Sequence, residues 1–138
     1  MAGYSDTPLA RKLGIKEGVR IALVNAPKEF QKQLGALPAN AQIVVPARKP
    51  LDMVLLFADA EKSLAQAFKS LKRKLSTDGM IWIAWPKKSS GVATDLSFEC
   101  VQRIGLRNGL VDVKICAIDH TWSGLKFVYR LTDRAAMR

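Results

Sequence analysis

The stretch Leu51–Pro86, LDMVLLFADAEKSLAQAFKSLKRKLSTDGMIWIAWP, decides the fold. It opens on LDMVLLFA, an apolar run broken only by Asp52, too short for a long helix and suited to a strand covered on both faces. DAEKSLAQAFKSLKRKL follows, with Leu64, Phe68, Leu71 and Leu75 at helical spacing and the lysines and Arg73 turned outward. Its terminal KRK complements the helix dipole. TDG then turns the chain into MIWIAWP, a second buried strand. Two buried strands joined through a helix lie parallel, so the protein belongs to the α/β class.

Working outward, VRIALVNAP reads as another buried strand, ended by Pro27, and KEFQKQLGAL as a short helix with Phe30 and Leu34 on one face and Gly35 near its end. AQIVVPA is extended and is separated from Leu51 by the basic, proline-bounded RKP. Past Pro86 the pattern predicts a helix over 95–107, starting from Thr94, with Phe98, Val101, Ile104 and Leu106 inward and Gly109 as a left-handed cap. LVDVKICAI and LKFVYRLT form the last strands, joined by DHTWSG, a connection too short for a helical crossover and therefore antiparallel. The expected architecture is a single Rossmann-like three-layer domain over 18–138, its sheet mostly parallel with an antiparallel C-terminal strand. Residues 1–17 are expected to form an N-terminal arm broken by Pro8 and Gly14 and bounded by Gly18, with one helical turn over Leu9–Leu13, Thr7 as its cap and Pro8 at its first position. Tyr4 and Leu9 in this arm either cover the ligand pocket or pack as an ordinary N-terminal extension, the second being the simpler role.

At 138 residues, 49% of them hydrophobic and 25% charged, the chain suits one folded domain with a core of its own. Its 22 Lys and Arg against 12 Asp and Glu give a net charge of +10. That charge favours anionic partners: an anionic small molecule, an acidic protein or nucleic acid. The cations are scattered, with no recognisable nucleic-acid module. No apolar run approaches the length of a membrane span, and the N-terminus lacks an apolar signal core, so a cytoplasmic protein without membrane contact is expected. Cys100 and Cys116 lie in apolar segments without metal or redox spacing and read as core thiols.

An open α/β sheet carries its ligands at the carboxyl ends of its strands, where VNAPKE, VPARKP, FADAEK, WPKKSSG and IDHTWSG are expected to gather. WPKKSSG supplies charge from Lys87 and Lys88, and hydroxyl and backbone donors from Ser89, Ser90 and the chain around Gly91. It lacks P-loop spacing, and a solvated turn has the same composition. IDHTWSG holds the only histidine, His120, beside Asp119, Trp122 and Ser123. Histidine suits proton transfer near neutral pH. Neighbouring residues in a turn seldom point the same way, so Trp122 covering core and Ser123 bonding local backbone are the simpler roles. Trp82 and Trp85, three apart on one strand, fall on opposite faces. One histidine and two distant cysteines form no metal set, and no cofactor is expected.

The order of strands and helices over roughly residues 18–132, with LDMVLLFAD and LSTDGMIWIAW each followed by a helix and a closing strand pair, resembles the Rossmann-like core of class I methyltransferases. That resemblance implies S-adenosylmethionine held by a Gly-rich turn after the first strand and an acidic residue after the second. Here the turn reads Asn25-Ala26-Pro27, and the second strand runs into IVVPARKP without a carboxylate. Proline removes a backbone donor from such a cradle. The motifs GYSDTPLARKLGIKEG, LVNAP, WPKKSSG, GLVDVKICAID and TWSGLKFVYR are similar to those of a family of small bacterial proteins known as a domain of unknown function, a resemblance that brings no activity with it. The sequence reading is therefore a non-catalytic or catalytically reduced domain binding an anionic ligand or protein partner through Lys87, Lys88, Ser89, Ser90, Asp119, His120, Trp122 and Ser123. Its alternatives are a divergent S-adenosylmethionine-dependent methyltransferase and a nucleic-acid-binding protein. Oligomeric state is left open.

Overall fold

A computed structural model describes residues 8–137. The elements are α1 (Leu9–Lys12), β1 (Arg20–Val24), α2 (Phe30–Leu34), β2 (Gln42–Ile43), β3 (Leu51–Phe57), α3 (Glu61–Lys72), β4 (Leu75–Pro86), α4 (Phe98–Arg107), β5 (Leu110–Ala117), β6 (Trp122–Tyr129) and α5 (Leu131–Met137). One six-stranded sheet runs in the order β2-β1-β3-β4-β6-β5. The pairs β1 with β2, β1 with β3 and β3 with β4 are parallel, and β6 is antiparallel to both β4 and β5.

Alternation along the strands sorts the core into two layers. Val54, Leu56, Ile81, Ile83, Trp85 and Phe127 face α3 and α4. Ile21, Met53, Leu55, Phe57 and Trp82 face α1 and α2. Trp82 and Trp85 thus take opposite faces, and both are buried. The Trp82 indole donates to the Leu13 carbonyl at 2.9 Å, which ties the described part of the arm to the sheet. Helix α4 lies so close to β6 that a Cβ on Gly105 would meet the Phe127 ring at 2.0 Å. The two cysteines sit on opposite faces, Cys100 among the α3 and α4 contacts and Cys116 against the α1 and α2 side, and both are free thiols. The sheet itself separates them.

Several boundaries differ from the sequence reading. The run AQIVVPA pairs only over Gln42–Ile43, and the chain then leaves the sheet edge. VPARKP does not stay at the carboxyl edge: the Ala47 carbonyl accepts from the Lys74 ammonium and the Pro50 carbonyl from Arg20, both beside strand starts at the opposite edge. A helix-free crossover this short has to run straight back. TDG is no turn before a strand, because β4 begins at Leu75, a residue predicted to be helical. While β3 advances from Leu51 to Met53, β4 advances from Leu75 to Met80, so the residues between bulge out of an otherwise continuous strand.

Helix α4 starts later than predicted, with Ser97 as its cap, the hydroxyl accepting from Cys100 N at 3.2 Å. Thr94 instead donates to the Asp59 carbonyl and accepts from Leu96 N. Ile104 is buried but Leu106 is 42% exposed, because the stripe narrows at the helix end. Pro8 occupies the cap position of α1 rather than its first turn; Thr7 and Tyr4 lie outside the described residues. The last strand stops at Tyr129, and the following residues turn into α5.

Candidate ligand site at the carboxyl edge

Strand β1 is followed in the chain by β2 on one side and then by β3 on the other, so the topological switch point lies at the carboxyl ends of β1 and β3. Asn25 follows β1 directly with φ at 58°, the left-handed conformation that asparagine tolerates better than most side chains. The Pro27 carbonyl then accepts from Phe30 N as α2 begins. On the β3 side the chain leaves through Phe57, Ala58 and Asp59. Between these ends lies a small cavity of about 160 Å³ lined by Asn25, Phe57, Ala58, Asp59, Ser63 and Trp122. A second, of about 360 Å³, opens on the other side of Asn25 against Ala26, Pro27, Lys28, Gln31 and Val45. Lys28 is the charged side chain of the larger cavity and Asp59 that of the smaller, among the described residues.

The two loops predicted to form a site lie side by side. Pro86 pairs with Trp122 in the sheet, and Lys87 N donates to the Thr121 carbonyl at 2.8 Å. Their polar groups, however, largely serve local structure. The Asp119 carboxylate accepts from Thr121 N at 2.8 Å and Trp122 N at 2.9 Å, an Asx-type turn that shapes the β5–β6 hairpin, and it also accepts from Gln33. Lys88–Ser90 form one 3-10 turn, closed by Ser90 Oγ donating to the Lys87 carbonyl at 2.6 Å and accepting from Val92 N. Ser89 and Lys88 are exposed at its tip, and His120 is exposed at the hairpin turn. Ser123 lies within β6 opposite Trp85, and Trp122 faces the other side of the sheet, stacked edge-on to Phe57 at 5.0 Å. Of the eight predicted residues, Trp122 is the one that lines the switch-point crevice.

The residues that sequence reasoning missed are Asn25, Lys28, Gln31, Asp59 and Ser63. The sequence carries a signal for Asn25, since Asn-Ala-Pro at a strand end marks an unusual turn whether or not it matches a glycine motif.

The amide of Glu61, at the start of α3, is already occupied by the Asp95 carboxylate at 2.8 Å, which places a negative charge at that helix terminus and disfavours a bound anion there. Burial pushes the Cys100 and Cys116 thiols above their ordinary pKa, which makes them poor nucleophiles near neutrality. Among the described residues, no group of three His, Cys, Asp or Glu is placed to hold a metal. No helix among them is long and apolar enough to cross a membrane.

Solved structures of class I methyltransferases share this architecture. A SAM-dependent methyltransferase from Aquifex aeolicus superposes with a TM-score of 0.64 at 13% identity, over 86% of this chain and 86% of that one. Magnesium protoporphyrin IX methyltransferase from Synechocystis PCC 6803 with bound SAM gives 0.59 at 11% identity, over 88% and 74% of the two chains. A TehB-like SAM-dependent methyltransferase from Corynebacterium glutamicum gives 0.56 at 14% identity, over 94% and 91%. No protein-family model and no curated protein matches the sequence. The domain therefore has the Rossmann-like, methyltransferase-like core that its element order resembled. Fold alone does not assign a reaction. The crevice also fits S-adenosylmethionine poorly: Pro27 offers no backbone donor, and β2 leads into Val44 and an 80% exposed Val45 where a ribose-binding carboxylate is wanted.

Proposed function

We propose that this chain is a catalytically reduced methyltransferase-fold domain that binds an anionic small molecule in the crevice around Asn25, with Lys28 meeting its charge. The observation that carries the reading is the lining of the 360 Å³ cavity, which offers Lys28 and two amide side chains, Asn25 and Gln31, but no carboxylate among the described residues. Its size falls within the range of small-molecule sites, and it sits where open α/β sheets bind ligands. Lys87 and Lys88, leaving a neighbouring strand at the same edge, add to the attracting field.

A divergent S-adenosylmethionine-dependent methyltransferase is the second reading. Its support is the left-handed Asn25, which lets the turn after β1 form without glycine, and Asp59 and Ser63 close by. Calorimetry with adenosine monophosphate and with S-adenosylmethionine separates the two. Binding of the monophosphate, weakened roughly tenfold or more in Lys28→Ala as befits a lost charge-assisted bond, with no heat from S-adenosylmethionine at millimolar concentration, is the expected result. Tighter binding of S-adenosylmethionine than of the monophosphate would establish the second reading. Silence from both ligands would remove adenosine anions from consideration.

A further inference from the structure

The opposite edge of the sheet carries a second feature. A groove of about 680 Å³ lies where α3 and α4 end and β6 stops, lined by Lys69, Lys72, Arg73, Arg107, Asn108 and Tyr129. Among the described residues no carboxylate lines it. Two helix C-termini meet here, and some positive charge is needed simply to complement them. Each terminus, however, is equivalent to about half a negative charge, so two of them offset about one cation of the four. Lys72 fills that role: its ammonium donates to the Asn108 carbonyl at the end of α4 and stands 5.7 Å from the Tyr129 ring centre. Lys69, Arg73 and Arg107 are left as exposed charges, with no hydrogen bond or ion pair to another described residue. Arg134 adjoins them, its guanidinium held on the Tyr129 carbonyl at 3.0 Å.

We infer that this groove binds the phosphodiester backbone of nucleic acid. The surplus charge comes from the ends of two different helices, Lys69 in the last turn of α3 with Arg73 at its C-cap, and Arg107 at the end of α4, which suits a string of phosphates better than a single one. Nothing in it reads bases by stacking, since Tyr129 is only 7% exposed. Binding is therefore independent of sequence and governed by counterion release. This surface lies across the sheet from the crevice at Asn25 and does not depend on what that crevice holds.

The test uses the full chain with fluorescently labelled duplex DNA and single-stranded RNA of mixed sequence, in a salt series. Wild-type protein is expected to bind at low salt, with affinity falling linearly on a logarithmic salt axis. Lys69, Arg73 and Arg107 changed together to Ala should weaken binding roughly tenfold or more and make the salt slope shallower by about 2 to 3. Arg11, Lys16 and Lys32, changed together to Ala on the α1 and α2 side, remove the same charge from elsewhere and should cost much less. Equal losses in the two triple variants would overturn the groove and leave only net charge. Displacement of the nucleic acid by millimolar inorganic phosphate would overturn the backbone assignment in favour of a lone-phosphate site. Absence of wild-type binding at low salt would end the proposal outright. Circular dichroism of both variants confirms that they fold.

Discussion

The helix ends and turns at the two edges of the sheet are completed mostly by opposite groups, with exceptions in Asp52, which accepts from Arg20 N at the amino edge, and Lys12, which donates to the Ala117 carbonyl at the carboxyl end of β5. At the carboxyl edge, acidic and hydroxyl side chains accept from backbone amides: Asp95 from Glu61 N, Ser97 from Cys100 N, Asp119 from Thr121 N and Trp122 N. At the amino edge, cationic side chains donate to carbonyls: Lys72 to Asn108, Lys74 to Ala47, Arg20 to Pro50, Arg134 to Tyr129. The sorting follows from chain direction. Helices α3 and α4 run back against their strands, so their unpaired N–H groups emerge at one edge and their unpaired carbonyls at the other. The lesson is that much of the polar content at either edge is structural, and only what remains after this pairing is available to a ligand.

The largest effect should come from Asp119→Ala. It leaves two amides of the hairpin turn without acceptors, at a cost of about 2 kcal/mol at typical net values per bond. Asp119→Asn keeps an acceptor oxygen and should cost less than half as much in a urea titration. If both variants lose binding at Asn25 without losing stability, Asp119 belongs to the ligand and the comparison fails at that residue. Ser97→Ala and Asp95→Ala come next, at about 1 kcal/mol each, as ordinary lost caps. A loss near zero for Asp95→Ala would mean that solvent replaces it and that the α3 terminus is open to anions after all.

Most of the fold was legible because strands β1, β3 and β4 are uninterrupted apolar runs, and the Leu64, Phe68, Leu71 stripe admits one helical face. What was not legible depends on partners distant in sequence. Gln42–Ile43 became a two-residue edge strand because only β1 is beside it. Leu75 entered the sheet because Leu51 was there to pair with it. The adjacency of WPKKSSG and IDHTWSG follows from topology, and within it Ser90 and Asp119 serve local turns while Lys88, Ser89 and His120 stay exposed. KRK reads as a complement to the dipole of its own helix, whereas the Lys72 ammonium serves the end of α4 at Asn108. Only the packing of α4 beside α3 brings Arg107 to that run and leaves a surplus.

The smallest effect should come from Lys126, which belongs to neither edge and tests whether cations are spent wherever they occur. It points to the α1 side between Lys114 and Lys16, and partial burial, with those two charges, lowers its pKa below the ordinary 10.5. The native chain thus binds this proton less tightly than the unfolded chain. Between the lowered pKa and 10.5 the unfolded state holds more protons, so stability contributed by this group rises with pH through that window. Lys126→Met should remove that rise and increase the melting temperature slightly at neutral pH, with high salt shrinking the difference because repulsion is screened. A lower melting temperature in the Met variant at neutral pH would mean that Lys126 makes a contact worth more than the repulsion it suffers, and would place it with the structural lysines of the amino edge.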